Sequence, residues 1–368
     1  MSARNVTVAM LLVLVVLGTW SFLNPAWELP PNIATYGHKI DNLYYQILWI
    51  TGIAFLVTHL VLIYSLLRFG HKGEGTKAHY SHGHHHLETG WTVATGLMLL
   101  WVAVVQAQTW NEIKVQEPTA EDMFEVQVFA KQFEWNFRYK GADGQFGTSD
   151  DLYSTTELHV PKDRVVRLYL RSLDVLHSLF LINLRVKQDL VPGTTTRVWF
   201  NAMQTTDEGR KDHIAAHKDQ IDKLTDKLEK ARAANKDQID ALTNELEKAR
   251  DAGDEREEAS IQKKIDEARD AGILEEVLIQ GKIDKAKAFD YEIACAELCG
   301  IGHHAMRGKV KVHSKESFAA WQKGRIAEQE EVDMSGVTNL WNGKPEGYSV
   351  SFWEYAGTIK PPRAEATH

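Results

Sequence analysis

Cysteine is nearly absent from this chain, with two in 368 residues. Two cannot staple a small secreted domain, and they cannot build a four-cysteine zinc or iron–sulfur site. No C-x-x-C-H run occurs in the sequence, which excludes a fused c-type haem domain within it. Positive charge is also short. Against 50 Asp and Glu stand 42 Lys and Arg, leaving a net charge of −8. Non-specific nucleic-acid binding needs clustered cations, so no nucleic-acid partner is expected. What is plentiful is apolar and aromatic material. A 44% hydrophobic share and eleven Trp are too much for a disordered chain, and the length suggests two or three domains. The mean hydropathy of −0.32 reads as soluble, but that average hides a division along the chain.

Three stretches without charge lie in the first 111 residues, at 5–27, 43–67 and 89–111. Each reaches the roughly 20 residues that an apolar helix needs to cross the hydrocarbon core. Tyr44 and Tyr45 near the start of the second, and Trp91 and Trp110 near the ends of the third, are the aromatic rings that a lipid–water interface favours. Residues 1–111 are therefore read as a transmembrane anchor. The first stretch resembles a secretory signal in its Arg4 and apolar middle, but no small-x-small cleavage site comes after it, so a retained helix is expected. Arg68, Lys72 and Lys77 place the loop after the second span in the cytoplasm, and the chain beyond residue 111 outside. His71, His79, His82, His84, His85 and His86 crowd into that loop. A metal or proton-buffering role and a plain solvated loop both remain open for them.

Residues 207–287 change character. With Ala288 they hold 17 basic and 22 acidic residues and no Phe, Trp or Tyr. HKDQIDKLTDKLEKARAA (217–234) is followed at once by NKDQIDALTNELEKARDA (235–252), identical at 13 of 18 positions. Eighteen residues are five helical turns, so each copy repeats one face. Ile221, Leu224, Leu228 and Ala231 recur as Ile239, Leu242, Leu246 and Ala249, a narrow apolar stripe. Pairs four apart, such as Asp219–Lys223 and Asp226–Lys230, add a little support. A break at Gly253 predicts an inserted helical hairpin whose arms bury the stripe. A docking arm and a tolerated surface insertion remain equally open.

Around the insertion, 112–206 and 288–332 read as one all-β domain. Alternating runs at 123–139, 163–172, 177–184, 194–202, 289–298 and 306–314, separated by Gly and Pro turns, predict a sandwich or Greek-key barrel. The tail, 333–368, carries Trp341, Tyr348, Phe352, Trp353 and Tyr355, and is read as packing against a neighbouring subunit.

Chemistry concentrates in CAELCGIGHHAM (295–306). Cys295, Cys299, His303 and Met306 together form a soft donor set, which selects copper over magnesium, calcium or manganese. One thiolate would suit a mononuclear blue-copper centre, whereas two can bridge a pair of copper ions. His177, at the start of a strand, would balance the site with a second imidazole. A disulfide or a Cys₂His₂ zinc site is the alternative.

The C-x-E-x-C-G-x-x-H-x-x-M pattern resembles the binuclear copper-A signature of subunit II of haem–copper cytochrome c oxidases. SLDVLHSLFLINLRVKQDLVPG, AKQFEWNFRYKGADGQFGTSDD and LETGWT resemble further stretches of that family in the same order. The resemblance implies a cupredoxin-like barrel with Cys295 and Cys299 bridging two coppers. It gives His177 and His303 to one copper each, and makes Met306 and the Glu297 carbonyl the weak ligands. It further implies that the Glu297 side chain helps hold magnesium or manganese at the interface with subunit I, and that Glu88 stands at the mouth of a proton pathway. For Glu88 a snorkelling interfacial carboxylate is the alternative. The family's electron-entry tryptophan is Phe133 here, although Trp135, two residues on, fits the electron-entry role beside it. The function implied is electron entry from a periplasmic cytochrome c or similar donor, passed to haem in subunit I for oxygen reduction coupled to proton translocation. Its setting would be the bacterial inner membrane, with the copper domain outside. A copper-free docking subunit of a quinol oxidase, and a copper-transfer chaperone, are the alternatives.

Overall fold

The computed structural model describes residues 3–24, 29–70, 80, 82–118, 123–148, 150–252 and 255–334. The aromatic tail from 335 onwards, together with His71 and His79, lies outside the described residues.

Three helices are long and apolar enough to cross a membrane: α1 (Ala3–Phe22), α2 (Gly37–Phe69) and α3 (His85–Trp110). Helix α1 stops at Phe22, short of the expected 27, whereas α2 begins six residues before Leu43. Absence of charge marks the part of a helix inside hydrocarbon. The backbone hydrogen bonds run on through Lys39 and Asp41, which water can solvate. Helix α3 likewise starts before Thr89 and passes into a wider turn at Asn111–Val115. Helices α1 and α2 meet through paired seats. The Phe55 ring comes within 2.9 Å of where a Cβ on Gly18 would be, and the Phe22 ring within 2.7 Å of one on Gly52. Bare backbone is what lets helices approach this closely in lipid, where no hydrophobic drive joins them.

The β-domain is a sandwich of two five-stranded sheets, the cupredoxin-like arrangement anticipated. One holds β3 (Leu152–Thr155), β2 (Glu134–Tyr139), β1 (Phe124–Lys131), β5 (Val165–Ser172) and β8 (Thr196–Asn201), in that order. The other holds β4 (Glu157–Pro161), β10 (Arg307–His313), β9 (Tyr291–Cys295), β6 (His177–Leu181) and β7 (Val186–Leu190). β1 runs parallel to β5 and β4 parallel to β10; the other neighbours are antiparallel. Alternation decides the faces: β5 points Val166, Leu168 and Leu170 inward and leaves Arg167, Tyr169 and Arg171 half-exposed. The core between the sheets is built on Trp135, Phe137, Tyr139, Leu168, Phe200 and Tyr291, all nearly inaccessible. Arg138, which alternation turns to the opposite face of β2 from Phe137 and Tyr139, forms a buried ion pair with Asp151 at 2.5 Å.

Between β8 and β9 the chain leaves the sandwich through α4 (Thr206–Ala216), α5 (Lys218–Ala252) and α6 (Glu255–Lys287). Thr205 opens α4 with a reciprocal cap. Its hydroxyl accepts from the Glu208 N–H, and the Glu208 carboxylate accepts from its own. The repeated stripe is the seam of the hairpin: Leu228 packs with Ile279 and Ile283, and Leu246 and Ala249 with Ile261 and Ile265. Arg232–Glu276 and Arg250–Glu258 tie one arm to the other. The arms return to their starting point, where His213 Nε2 lies 3.1 Å from the Ala286 carbonyl. A last helix, α7 (Lys315–Met334), lies over β3, β4 and β10.

Candidate metal centre

His177 opens β6 and Cys295 closes β9. These strands are antiparallel neighbours, with Leu179 opposite Cys295. The sheet therefore brings the two residues together across 118 positions of sequence. Cys299, His303 and Met306 come from the β9–β10 loop. That loop is pinned at its base where the Cys295 N–H donates to the Met306 carbonyl (3.2 Å), and the Ala296 N–H to that of Ser178 (2.9 Å). Gly300 has φ = 134°, a conformation that side chains resist.

The sulfurs of Cys295 and Cys299 lie 3.9 Å apart and are unbonded, against about 2.05 Å for a disulfide. Each faces an imidazole nitrogen: Cys295 Sγ is 3.9 Å from His177 Nδ1, and Cys299 Sγ is 3.6 Å from His303 Nδ1. The fifth and sixth donors divide the same way. The Glu297 carbonyl is 3.2 Å from Cys295 Sγ, and Met306 Sδ is 3.8 Å from Cys299 Sγ. Two thiols, two imidazoles, a thioether and a carbonyl thus form two matched halves that share the sulfur pair. His177, Cys299 and Met306 are buried; Cys295 and His303 are half-buried. Among the described residues, His177, Cys295 and Cys299 are the only group of three or more His, Cys, Asp or Glu placed to hold a metal.

Sequence reasoning did not assign Asp174. Its Oδ1 lies 2.8 Å from His177 Nε2 and its Oδ2 accepts from the Gln132 N–H at 2.6 Å. A carboxylate on Nε2 places the ring proton there, leaving the Nδ1 lone pair for the sulfur side. The signal was available in the D-x-x-H spacing of SLDVLH. Burial raises the Asp174 carboxyl, but hydrogen bonds from His177, Gln132 and Val175 outweigh it and hold the carboxyl low. Burial likewise opposes a charged Cys295. Contacts with His177, the Ser178 and Glu297 backbone and His303 nonetheless bring its thiol down to about 6. Cys299 goes the other way, to about 11, through burial and the neighbouring Cys295 charge. One sulfur is a ready thiolate and the other keeps its proton.

Phe133 and Trp135 have different places. Trp135 is wholly buried, its ring centroid 6.3 Å from that of His177, so it presents nothing to a partner at the surface. Phe133 is half-buried and packs on the loop itself. A Cβ on Gly302 would fall 2.4 Å from its ring. The Glu297 side chain is exposed, as are Leu298 and Ile301 beside it. Glu88 sits far from this cluster in sequence, in the first turn of α3. There its Oε1 accepts from the His84 N–H at 3.2 Å while His84 Nδ1 accepts from the Leu87 N–H at 3.3 Å. Of the histidine-rich loop, His84 is thus accounted for as a helix cap.

No family model matches the chain. It is 32% identical over 222 residues to an alternative cytochrome c oxidase subunit 2 of Bradyrhizobium diazoefficiens, covering 54% of this chain and 78% of that protein. It is 24% identical to a cytochrome c oxidase subunit 2 of Synechocystis, over 47% of this chain and 63% of that one. It is also 24% identical to a quinol oxidase subunit 2 of Bacillus subtilis, over 49% and 56%. Among solved structures, the periplasmic domain of cytochrome oxidase subunit II from Bradyrhizobium japonicum aligns over 58% of this chain and 99% of that one, with TM-score 0.31 and 16% identity. A haem–copper terminal oxidase dimer aligns over 61% and 98%, with TM-score 0.29 and 16% identity.

Proposed function

The chain belongs to the cytochrome c oxidase subunit 2 family, and on that footing we propose that it is the electron-entry subunit of a respiratory haem–copper oxidase. The observation that carries this reading is the paired donor set, with sulfurs 3.9 Å apart and one imidazole nitrogen facing each. The residues fit a binuclear copper-A centre. Cys295 and Cys299 would be shared, His177 and the Glu297 carbonyl would serve one ion, and His303 and Met306 the other. Bound there, the centre would supply a one-electron carrier spread over two soft ions. The chain's own task is to hold the donors still, so that little rearranges as charge passes. Strands β6 and β9 fix His177 and Cys295, and Asp174 locks the His177 ring by its far nitrogen. Because Cys299 keeps its proton, loading must release one, and uptake of metal should therefore be faster at higher pH.

A separate protein, a periplasmic cytochrome c or similar donor, delivers the electron over Phe133, and Trp135 lies inward on the His177 side. Haem in subunit I receives it, where oxygen reduction and proton translocation take place. The exposed Glu297 carboxylate would help hold magnesium or manganese at that interface, and Glu88 would serve the proton pathway from the cytoplasmic side of the bacterial inner membrane. The copper-free alternative draws on the quinol oxidase relatives, but a full set of donors has no use in such a subunit.

Elemental analysis with EPR on the purified complex separates the readings. Two coppers per chain support this one, none supports the quinol-oxidase subunit, and one labile copper a copper carrier. In Cys299→Ser the mixed-valence signal should vanish while the chain still inserts in the membrane. An unchanged spectrum would sink the assignment.

A further inference from the structure

Where the membrane anchor meets the sandwich, a cavity of about 300 Å³ opens between the outer ends of α2 and α3 on one side and β7 and β8 on the other. Its walls are fixed across the junction. The Tyr36 hydroxyl donates to the Trp199 carbonyl at 2.9 Å, and Trp199 Nε1 donates to the Ile113 carbonyl at 2.8 Å. Trp199 and Tyr36 also pack edge-to-face, 5.0 Å between centroids. The space is thus built into the fold.

Its lining joins apolar side chains to a group of cations. Leu43 and Trp110 stand at the limits of the charge-free runs 43–67 and 89–111, with Ile40 just before the first. The same cavity is lined by Lys114, Arg185, Lys187 and Arg197, with Glu117 the single carboxylate of the lining. Arg197 bonds Glu117 at 2.9 Å, and Arg185 bonds Asp41 at 2.6 and 3.0 Å. Lys114 donates to a neutral acceptor, Gln188 Oε1, at 2.9 Å, and shares the field of Glu117 with the arginines. Lys187 has no carboxylate partner among the described residues. Apolar walls at the ends of two membrane spans, beside surplus cations, match one kind of molecule. A small soluble anion would have no use for the apolar half, and a zwitterionic lipid would bring a cation of its own to the lysines.

We propose that this junction binds one anionic phospholipid, its phosphate met by Lys114 and Lys187 and its acyl chain laid against Ile40, Leu43 and Trp110. The lipid would act as mortar between the anchor and the sandwich, independently of any metal.

The test uses the assembled oxidase containing the full chain, reconstituted in phosphatidylcholine bilayers with a small share of phosphatidylglycerol carrying a photoreactive group on its acyl chain. After irradiation, adducts are expected on peptides covering 36–43 and 106–117. Photoreactive phosphatidylcholine should label them several-fold less. Lys187→Gln, a change at an exposed side chain, should weaken labelling about fivefold, the worth of one basic residue at an anionic surface. Excess glycerol phosphate should leave it unchanged. Equal labelling by both lipids, loss of labelling to glycerol phosphate, indifference to Lys187→Gln, or no adduct because another subunit fills the cavity would each overturn the proposal.

Discussion

Acid should loosen α7 through one histidine. The His159 ring, on β4, packs against both His313 of β10 and Trp321 of α7, with centroids 5.1 and 4.4 Å away and planes within 20° and 14°. His159 Nδ1 lies 2.8 Å from His313 Nε2, and its backbone N–H donates to the Tyr139 hydroxyl. Burial, then the charges of His313, Arg325 and Lys311, push its pKa down to about 3. Glu157, 3.6 Å from Nε2, is too exposed to reverse this. When α7 lifts, Trp321 leaves, water reaches the ring and its pKa returns to about 6.5. The pKa is thus lower in the closed state than in the open one. The closed state's advantage is complete above pH 6.5 and drains away as pH falls toward 3. One unit below 6.5 the loss is about 1.4 kcal/mol, a factor of about ten. Hydrogen exchange of the α7 amides, expressed as protection factors so that intrinsic rates cancel, should therefore fall about tenfold between pH 7.5 and 5.5. In His159→Phe, which keeps a flat ring against Trp321 but cannot titrate, most of that fall should disappear. A change of less than twofold in the parent, or an equal fall in the variant, would refute the reasoning.

Four further outcomes are expected from other parts of the molecule. Asp174→Ala should leave the fold intact but weaken copper retention 10- to 100-fold, the usual cost of losing a partner behind a ligand histidine, as read by chelator competition. Arg138→Leu removes the cation beside the buried Asp151 carboxylate, leaving it the Gly147 N–H, and should cost about 3–5 kcal/mol in denaturant unfolding. Leu246→Ala opens the hairpin seam against Ile261 and Ile265 and should cost about 2 kcal/mol, visible as faster exchange in α5 and α6 with no change in the metal's spectrum. Removing 218–287 and joining His217 to Ala288 should also preserve that spectrum. Loss of another subunit or slower donor oxidation in that deletion would mark the hairpin as a docking arm, and unchanged turnover as a tolerated insertion.

The membrane anchor, the hairpin seam and the cysteine–histidine–methionine loop were legible because each is written in local spacing. Ile221 to Ala249 repeat at helical intervals, and Cys295 to Met306 lie within a dozen residues. What sequence reasoning missed is non-local. The run 123–139 read as a single strand, because no Gly or Pro marks the turn between Lys131 and Glu134 that separates β1 from β2. β3 and β4 are four and five residues long and come after an Asp- and Gly-rich loop. β4 gains its identity only from β10, about 150 residues away. Helix α7 shows its purpose in two side chains, Phe318 and Trp321, whose partners Phe124 and Tyr139 sit on other elements. Trp135 reads as an electron-entry candidate by its nearness to Phe133. Trp135 lies on β2 with its ring in the core, whereas Phe133 belongs to the turn before β2 and rests over the loop.

The same topology explains how a long charged insertion coexists with a site assembled from both sides of it. The donors do not depend on the connection between β8 and β9 for their placement. His177 is registered against β7, with Leu190 opposite it, and Cys295 against β6, with Leu179 opposite it. Neither pairing involves the hairpin. The excursion also closes at its base: Gly209 lets the Tyr291 ring approach, the Thr206 hydroxyl accepts from the Val312 N–H at 2.9 Å, and His213 meets Ala286. Residues are then added or lost only beyond that clamp, in whole turns that preserve the stripe. An 18-residue unit is such an increment, because five turns return each apolar side chain to the same face. Growth by duplication would therefore lengthen the arm without moving Cys295 relative to His177, provided both arms lengthen together so that the seam stays matched.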